Sequence, residues 1–183
     1  MYVLASGSPR RKELLSLILP EYECMVSGCE ESVPKGTPAE KVPVLLAEQK
    51  ALAVAALRPD DTVIGSDTVV VLDGEIFGKP KNTDDAKTML RRLSGRKHFV
   101  YTGVAVAEKG TVRSFVQKTE VEFFELSDET IESYVETSEP MDKAGAYGIQ
   151  GKGSVLVKGI VGDYFNVMGF PVAETARFLG LVK

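Results

Sequence analysis

The sequence has little of two residue types on which many catalytic sites depend. It contains one histidine and two cysteines in 183 residues. Cys24 and Cys29 lack the partners that a zinc site needs and are too few for a disulfide framework. A serine–histidine or cysteine–histidine mechanism would have to use His98, which lies in a strand-like alternation of apolar and polar residues. We therefore interpret His98 as structural and expect any hydrolysis to rely on carboxylates and a metal.

The sequence also lacks an excess of positive charge and a long apolar run. Lysine and arginine number 22 against 26 acidic residues, giving a net charge of -4. This balance disfavours sequence-independent nucleic-acid binding, although a small anion needs only local positive charge. No apolar run approaches the length of a membrane span, and the basic residues 10–12 follow the apolar start, the wrong order for a secretory signal. We expect a cytoplasmic protein without a nucleic-acid or membrane partner.

The length and the order of the predicted elements favour one α/β domain. A chain of 183 residues can form one core, and we expect a single domain over 1–183 with two lobes. Predicted strands and helices alternate, but Asp73-Gly74 and Lys109-Gly110 indicate hairpin turns. The sheet should therefore be mixed and not purely parallel.

An acidic residue interrupts the most apolar stretch of the chain. Residues 63–71 read Val-Ile-Gly-Ser-Asp-Thr-Val-Val-Val, with β-branched runs on both sides of Asp67. This pattern predicts that Asp67 lies on a strand within a cleft. A carboxylate there is costly unless a metal, a cation or several donors meet it, and Lys79 and Lys81 follow nearby. The alternative is that Asp67 caps a turn at a strand end.

A second polar segment follows the first predicted strand. Ser8 suits the N-cap of a helix and Pro9 its first position, and Arg10 and Arg11 come next. Backbone N–H groups, the helix dipole and two guanidinium groups would converge there and favour phosphate binding. The alternative is a capped surface helix with two solvated arginines.

Three charged residues have two interpretations each. Lys50 lies on an otherwise apolar face of an alanine-rich helix over 44–57, where it either extends to solvent or points into a site. Glu30 and Glu31 lie on a loop and are solvated unless the fold brings them to Asp67, where a carboxylate pair could share a Mg²⁺ ion.

The start of that helix is ambiguous. Residues 37–40, Thr-Pro-Ala-Glu, predict a capping box. Pro43 conflicts with a straight helix from that point because it lacks the N–H group that the helix would use. The helix therefore either restarts at Pro43 or bends there.

A glycine-dense stretch near the C-terminus is too rich in polar groups to be only a connector. Residues 139–153 contain an aromatic residue, an amide and several charges. Gln150 offers both a donor and an acceptor, as a pyrimidine edge with an O4 carbonyl and an N3–H requires. Tyr147 either stacks on a ligand or belongs to the core.

Three separated motifs resemble those of one known family. They are Leu4-Ala5-Ser6-Gly7-Ser8-Pro9-Arg10-Arg11, Gly65-Ser66-Asp67-Thr68 and Asp142-Lys143-Ala144-Gly145-Ala146-Tyr147-Gly148-Ile149-Gln150-Gly151. In this order they resemble the Maf family, the septum-formation-inhibitor-like nucleoside triphosphate pyrophosphatases, over essentially the whole chain. The last motif is similar to that of the dTTP/UTP branch, because the branch that acts on 7-methyl-GTP has Ser-Phe where Ala146-Tyr147 stands here.

The resemblance implies a fold and an activity. The fold would be a mixed, elongated β-sheet flanked by helices, with two lobes around a central cleft, related to the inosine triphosphate pyrophosphatases. The activity would be hydrolysis of a nucleoside triphosphate, with dTTP and UTP preferred, to the monophosphate and pyrophosphate. It would depend on a divalent cation, Mg²⁺ or Mn²⁺, and would cleanse nucleotide pools, with a link to arrest of cell division. A homodimer is plausible from the same resemblance.

The resemblance also implies roles for nine residues. Asp67 matches the family's proposed proton acceptor, and we expect Lys79 to act with it in catalysis. Glu31 and Asp67 would hold the metal, although the family often has Asp-Glu where Glu30-Glu31 stands here. The expected substrate-binding residues are Ser8, Arg10, Arg11, Lys50, Thr68 and Gln150, of which Arg11, Thr68 and Gln150 match positions tied to substrate choice.

Two other functions fit the same sequence. One is a non-catalytic nucleotide-binding regulator of septum formation, which would not need Asp67, Glu31 and Lys79. The other is a pyrophosphatase for non-standard purine triphosphates. Release of pyrophosphate and a substrate panel would separate the three.

Overall fold

The computed structural model describes residues 1–182. Its strands are β1 (Tyr2–Leu4), β2 (Glu23–Cys24), β3 (Thr62–Leu72), β4 (Glu75–Phe77), β5 (Lys97–Glu108), β6 (Thr111–Phe123) and β7 (Val157–Val161). Its α-helices are α1 (Pro9–Leu15), α2 (Val42–Ala55), α3 (Thr83–Leu93), α4 (Asp128–Glu136), α5 (Tyr164–Met168) and α6 (Val172–Phe178). The chain forms two compact units, the first comprising 1–68, 102–117 and the chain from Gly169 onward, the second 69–101 and 118–168.

The strands pair in both directions. Over residues 1–182 the order is β2-β1-β3-β5-β6-β7, with β4 paired to β3. Strand β1 is parallel to both β2 and β3, whereas the pairs β3–β4 and β6–β7 are antiparallel. The predicted α/β fold with a mixed sheet flanked by helices is therefore confirmed.

In the first unit, helix α2 packs closely against β3 and β5. The buried face of α2 includes Ala47, Ala51 and Val54. These residues pack with Val3 and Val63 in one apolar cluster. A Cβ atom at Gly65 of β3 would overlap the carbonyl oxygen of Ala47, and one at Gly103 of β5 would overlap the backbone of Pro43. Small residues on both surfaces thus let the helix approach the strands and fix its position.

The second unit has its own apolar core. Helices α3 and α4 bury Leu90, Leu93 and Ile131 in a cluster that includes Val121 and Phe123 from β6. Strands β3 and β4 form a hairpin in which Val70 pairs with Phe77. Positive φ angles of 51° at Asp73 and 80° at Gly74 match the two-residue turn that the sequence predicts.

Several local predictions need correction. The capping box at 37–40 does not form, because Thr37 donates its hydroxyl to the Pro34 carbonyl, and a short 3₁₀ turn occupies Ala39–Lys41. Helix α2 then begins at Val42 with Pro43 in its first turn, so the restart was the right alternative. Residues 151–156, at the end of the glycine-dense stretch, form a 3₁₀ segment, and no sequence pattern indicated α5.

Among residues 1–182, none of the helices has the length and apolar composition needed to cross a bilayer.

Candidate active site

Asp67 lies in the middle of β3, not at its end. The strand runs without interruption from Thr62 to Leu72, and Ser66 beside Asp67 is fully buried. The Asp67 side chain is 15 % exposed. The alternative of a turn cap is therefore wrong, and the strand holds this carboxylate at a fixed position.

Lys50 of α2 contacts two carboxylates. Its Nζ atom donates to Asp67 Oδ1 over 2.6 Å and lies 3.1 Å from Glu31 Oε1. The Lys50 side chain is only 13 % exposed, so it points into this cluster and does not extend to solvent. Of the two loop glutamates, Glu31 is the one whose carboxylate makes this contact. Three residues far apart in the sequence thus form one charged cluster in the first unit.

Arg11 is held next to this cluster by fixed acceptors. Its Nε atom donates to the carbonyl of Gly169 over 3.0 Å, and its Nη2 atom donates to Thr68 Oγ1 over 3.2 Å. The same carbonyl accepts from Ser66 Oγ, and Thr68 Oγ1 also exchanges a hydrogen bond with Thr102 Oγ1. Because two donors on one edge of the guanidinium group are occupied, its orientation is set before any ligand binds.

The groups around Arg11 have opposing effects on its pKa. Burial lowers the pKa of Arg11, the negative charges of Asp67 and Glu31 act to raise it, and neighbouring Arg10 adds to the lowering. A guanidinium group that has lost hydration and lies beside another cation is stabilised when an anion binds. The arrangement therefore favours an anionic ligand near Arg10 and Arg11.

The carboxylate pair suits a hard divalent cation. Asp67 and Glu31 both contact the Lys50 ammonium, so their oxygens converge on one point. Mg²⁺ commonly takes one or two protein carboxylates together with substrate phosphates. No group of three or more His, Cys, Asp or Glu side chains placed to hold a metal ion occurs in residues 1–182.

The structure places seven of the nine predicted site residues in the first unit. Five of them, Glu31, Lys50, Asp67, Arg11 and Thr68, are joined by the contacts described above. Ser8 is the N-cap residue of α1, as predicted, although its side chain makes no capping hydrogen bond.

The remaining two predicted residues, Lys79 and Gln150, belong to the second unit. Both are exposed. Lys79 follows β4, and the carbonyl of the preceding Gly78 accepts a hydrogen bond of 3.0 Å from Gly145 N. The glycine-rich loop that carries Gln150 is therefore tied to the segment that carries Lys79.

Tyr147 belongs to the core of the second unit. It is 5 % exposed, its hydroxyl lies 2.8 Å from His98 Nε2, and its ring meets Phe123 edge to face with 4.7 Å between centroids. His98 is itself buried, and burial lowers its pKa to about 4. The structural interpretation of His98 is confirmed, and Tyr147 packs in the core instead of offering a stacking surface.

Sequence reasoning missed several residues that hold the site in place. Gly169 and Thr102 lie far along the chain from Arg11 and Thr68, and no local pattern marks them as partners. Ser66 lies within a motif that was noticed, but its burial towards Gly169 was not anticipated. Gly169 has a positive φ of 105°, a backbone conformation that glycine adopts without strain.

Comparisons with known proteins identify relatives over almost the whole chain. The family model described as Maf-like protein matches residues 1–182. A dTTP/UTP pyrophosphatase of Bacillus velezensis (strain DSM 23117 / BGSC 10A6 / LMG 26770 / FZB42) is 52% identical over 177 residues, covering 97% of this chain and 94% of the relative. The dTTP/UTP pyrophosphatase of Bacillus cereus (strain B4264) is 50% identical over 177 residues, covering 97% and 93%.

Among the solved structures that match, one covers about two thirds of the chain. It is the Ham1 protein of Staphylococcus aureus, with a TM-score of 0.46 and 18% sequence identity, covering 67% of this chain and 71% of that chain.

Proposed function

This chain belongs to the Maf family, and we propose that it hydrolyses nucleoside triphosphates, dTTP and UTP before others, to the monophosphate and pyrophosphate. The support from sequence is that relatives about half identical over 97% of the chain carry the name dTTP/UTP pyrophosphatase. The structural observation that carries the proposal is the cluster of Asp67, Lys50 and Glu31 beside the half-buried Arg11.

The cations of the first unit would bind the triphosphate. Arg11 holds a fixed orientation against Gly169 and Thr68, and guanidinium groups bind phosphate oxygens in pairs. Arg10 and Ser8 precede it on the same helix start, and Lys50 adds a compact positive charge. Together these groups would neutralise a chain of phosphates and hold its α-phosphorus near Asp67.

Asp67 would take the proton from the attacking water. The water oxygen forms a bond to the α-phosphorus, the bond from that phosphorus to the bridging oxygen breaks, and pyrophosphate leaves. The proton passes to the Asp67 carboxylate, whose position on β3 beside the Lys50 ammonium is fixed.

Asp67 and Glu31 would also hold the divalent cation. When bound, Mg²⁺ or Mn²⁺ supplies positive charge to the leaving pyrophosphate and lowers the pKa of its bound water. Lys79 would contribute a further positive charge during the reaction.

Three residues would determine substrate choice. The amide of Gln150 has a donor and an acceptor that match O4 and N3–H of thymine or uracil. Arg11 and Thr68, which hydrogen-bond each other, would select through the remainder of the nucleotide. The preference for dTTP and UTP would follow from this set.

The test is pyrophosphate release from dTTP, UTP, dCTP, ATP and GTP, with Mg²⁺ and with a chelator. We expect kcat/KM for dTTP and UTP to exceed the other values at least about tenfold, the effect of one well-placed hydrogen-bonding pair. Chelation should abolish the reaction.

Each other outcome points elsewhere. Equal rates on all the triphosphates would contradict the pyrimidine preference. Binding of nucleotide without pyrophosphate release would favour a regulator of septum formation, and faster hydrolysis of a non-standard purine such as ITP would favour the purine pyrophosphatase.

We further propose that the chain acts as one domain of two lobes, as a homodimer, and in the cytoplasm. Light scattering on the purified protein would test the assembly, with twice the mass of 19.8 kDa expected.

A further inference from the structure

We propose that Glu139 is a positioning residue for base recognition, because its carboxylate holds the loop that presents Gln150. This inference rests on the proposed function. It concerns a residue that does not itself meet the substrate but decides how well the thymine and uracil edges are distinguished from that of cytosine.

Three donors converge on the Glu139 carboxylate. Its Oε1 atom accepts from Tyr134 Oη over 2.9 Å and from Gly153 N over 3.1 Å. Its Oε2 atom accepts from Lys152 N over 3.0 Å. All three donors lie in the second unit, and two of them are backbone groups of the glycine-rich loop.

The same cluster holds the loop on the other side of Gln150. Tyr134 Oη accepts a hydrogen bond from Gly148 N over 3.0 Å. Lys143 Nζ donates to the carbonyl of Glu139 over 2.6 Å, and its side chain lies where a Cβ atom at Gly148 would be. A Cβ atom at Gly151 would meet Glu139 Oε2 at 2.8 Å.

Gln150 thus lies between two fixed points of backbone, at residue 148 and at residues 152–153. Its own side chain is exposed. Fixed backbone on both sides sets the point from which its amide reaches a ligand, and recognition requires that point to stay within a narrow range.

Discrimination against cytosine depends on such restraint. Cytosine presents an amino group and an unprotonated N3 where thymine presents O4 and N3–H. A carboxamide can pair with either edge if it is free to turn over or shift, because it has a donor on one side and an acceptor on the other. A loop that moves would therefore lose selectivity before it loses the ability to bind nucleotide.

The substitution Glu139→Gln tests this with almost no change of shape. Glutamine offers one acceptor oxygen, whereas donors face both oxygens of Glu139. In one orientation its NH₂ group faces Lys152 N, and in the other it faces Gly153 N, so a donor opposes a donor in either case. One backbone contact of the loop must therefore open.

The measurement is the ratio of kcat/KM for dTTP to that for dCTP, with Mg²⁺ present. We expect the ratio to fall about tenfold in Glu139→Gln, the cost of one opened contact to a charged acceptor. The kcat for dTTP should stay within a few-fold of wild type, because Asp67 and Lys50 lie in the first unit and keep their contacts. General destabilisation would instead lower the active fraction equally for both substrates and leave the ratio unchanged.

Two control variants define what the ratio reports. Glu136→Gln removes the same charge from an exposed position on α4 and should leave the ratio at the wild-type value. Lys152→Ala removes only the side chain and keeps the backbone N–H that Glu139 accepts, so it too should keep the ratio.

The outcomes separate this inference from the proposed function. If wild type shows no preference for dTTP, the proposed function fails. If wild type prefers dTTP and Glu139→Gln keeps that preference, the positioning role is wrong. Should Glu139→Gln fail to fold, Tyr134→Phe takes its place: it removes one donor and frees Gly148 N, and an unchanged ratio in that variant would equally overturn the role.

Discussion

Asp67 shows how a residue whose burial is unfavourable for stability can still provide a useful chemical group. A carboxylate in the middle of a buried strand would be unfavourable by itself. Lys50 offsets part of that cost through a contact of 2.6 Å, and Glu31 shares the same ammonium group. The cluster therefore holds the Asp67 carboxylate at a fixed place without occupying all of its acceptor positions.

The substitution Asp67→Asn should abolish most turnover while leaving the fold intact. Asparagine has the same shape, and Lys50 retains Glu31 as a partner. Loss of a positioned base lowers kcat by about 10²–10⁴-fold. Binding should change little, because the arginines and lysines carry most of the attraction for phosphate.

Two measurements check the role of Asp67. Pyrophosphate release gives kcat, and calorimetry with a non-hydrolysable α,β-imido analogue of dTTP gives the affinity. Asp60→Asn, at an exposed position outside the cluster, should behave as wild type in both. Near wild-type turnover in Asp67→Asn would show that another group accepts the proton.

At the scale of single residues, the sequence predicts the chemical roles of side chains better than it predicts which residues contact one another. The acidic residue within an apolar run indicated Asp67, and the motif resemblance indicated Lys50 and Arg11. The choice between Glu30 and Glu31 could not be made from sequence, because it depends on where a loop lies relative to α2. Gly169 and Thr102 could not be found at all, since their contacts with Arg11 and Thr68 are long-range.

At the scale of elements, the position of Lys50 depends on how closely α2 approaches β3. Gly65 permits that approach, because any side chain there would meet the carbonyl of Ala47 one turn before Lys50. The close approach of Gly65, two residues before Asp67 on β3, to the Ala47 carbonyl thus sets the distance from Lys50 to Asp67.

The substitution Gly65→Ala should therefore reduce both stability and activity. Moving the helix to accept a methyl group costs about 1–3 kcal/mol of unfolding free energy, as overpacking of tight cores does. It should also lower kcat, because the ammonium and carboxylate separate. Urea denaturation and pyrophosphate release give the two quantities.

Gly159→Ala is the matched control for this substitution. Gly159 lies on β7, has no positive φ, and a Cβ atom there would have nothing within 4 Å. We expect its stability and kcat to stay close to wild type. If Gly65→Ala also matched wild type, α2 would not depend on this contact.

The prediction of elements succeeded where local signals were strong. The hairpin turns and the start of α1 at Pro9 follow from residue types at particular offsets. It failed at residues 37–40, where Thr37 bonds backward to Pro34, and at 164–168, where α5 is only five residues long. Short segments carry too few residues for periodicity to define them.

At the scale of the whole molecule, the mixed sheet followed from the alternation of strands and helices with two hairpins. The boundaries of the two units could not be predicted from the sequence. Each unit is assembled from separated stretches, and β3, β5 and β6 contribute residues to both. These three strands have 11, 12 and 13 residues, which is long enough for each to contribute to two units.

The stability of the protein should depend on pH through its single histidine. His98 is 1 % exposed, and burial lowers its pKa from the ordinary value of 6.5 to about 4. The unfolded chain therefore binds a proton more readily than the folded chain between these values, so the free energy of unfolding falls as the pH falls. The contribution is complete above about pH 6.5 and is gone below about pH 4.

Between pH 7 and pH 5, this single group should cost about 2 kcal/mol of unfolding free energy. The measurement is urea denaturation of wild type and of His98→Gln at both pH values. Glutamine can keep a hydrogen bond to Tyr147 but does not titrate, so its loss over the same range should be smaller by that amount. Carboxylates titrate equally in both proteins and cancel in the comparison. Equal losses in the two proteins would mean that His98 takes up its proton within the folded core.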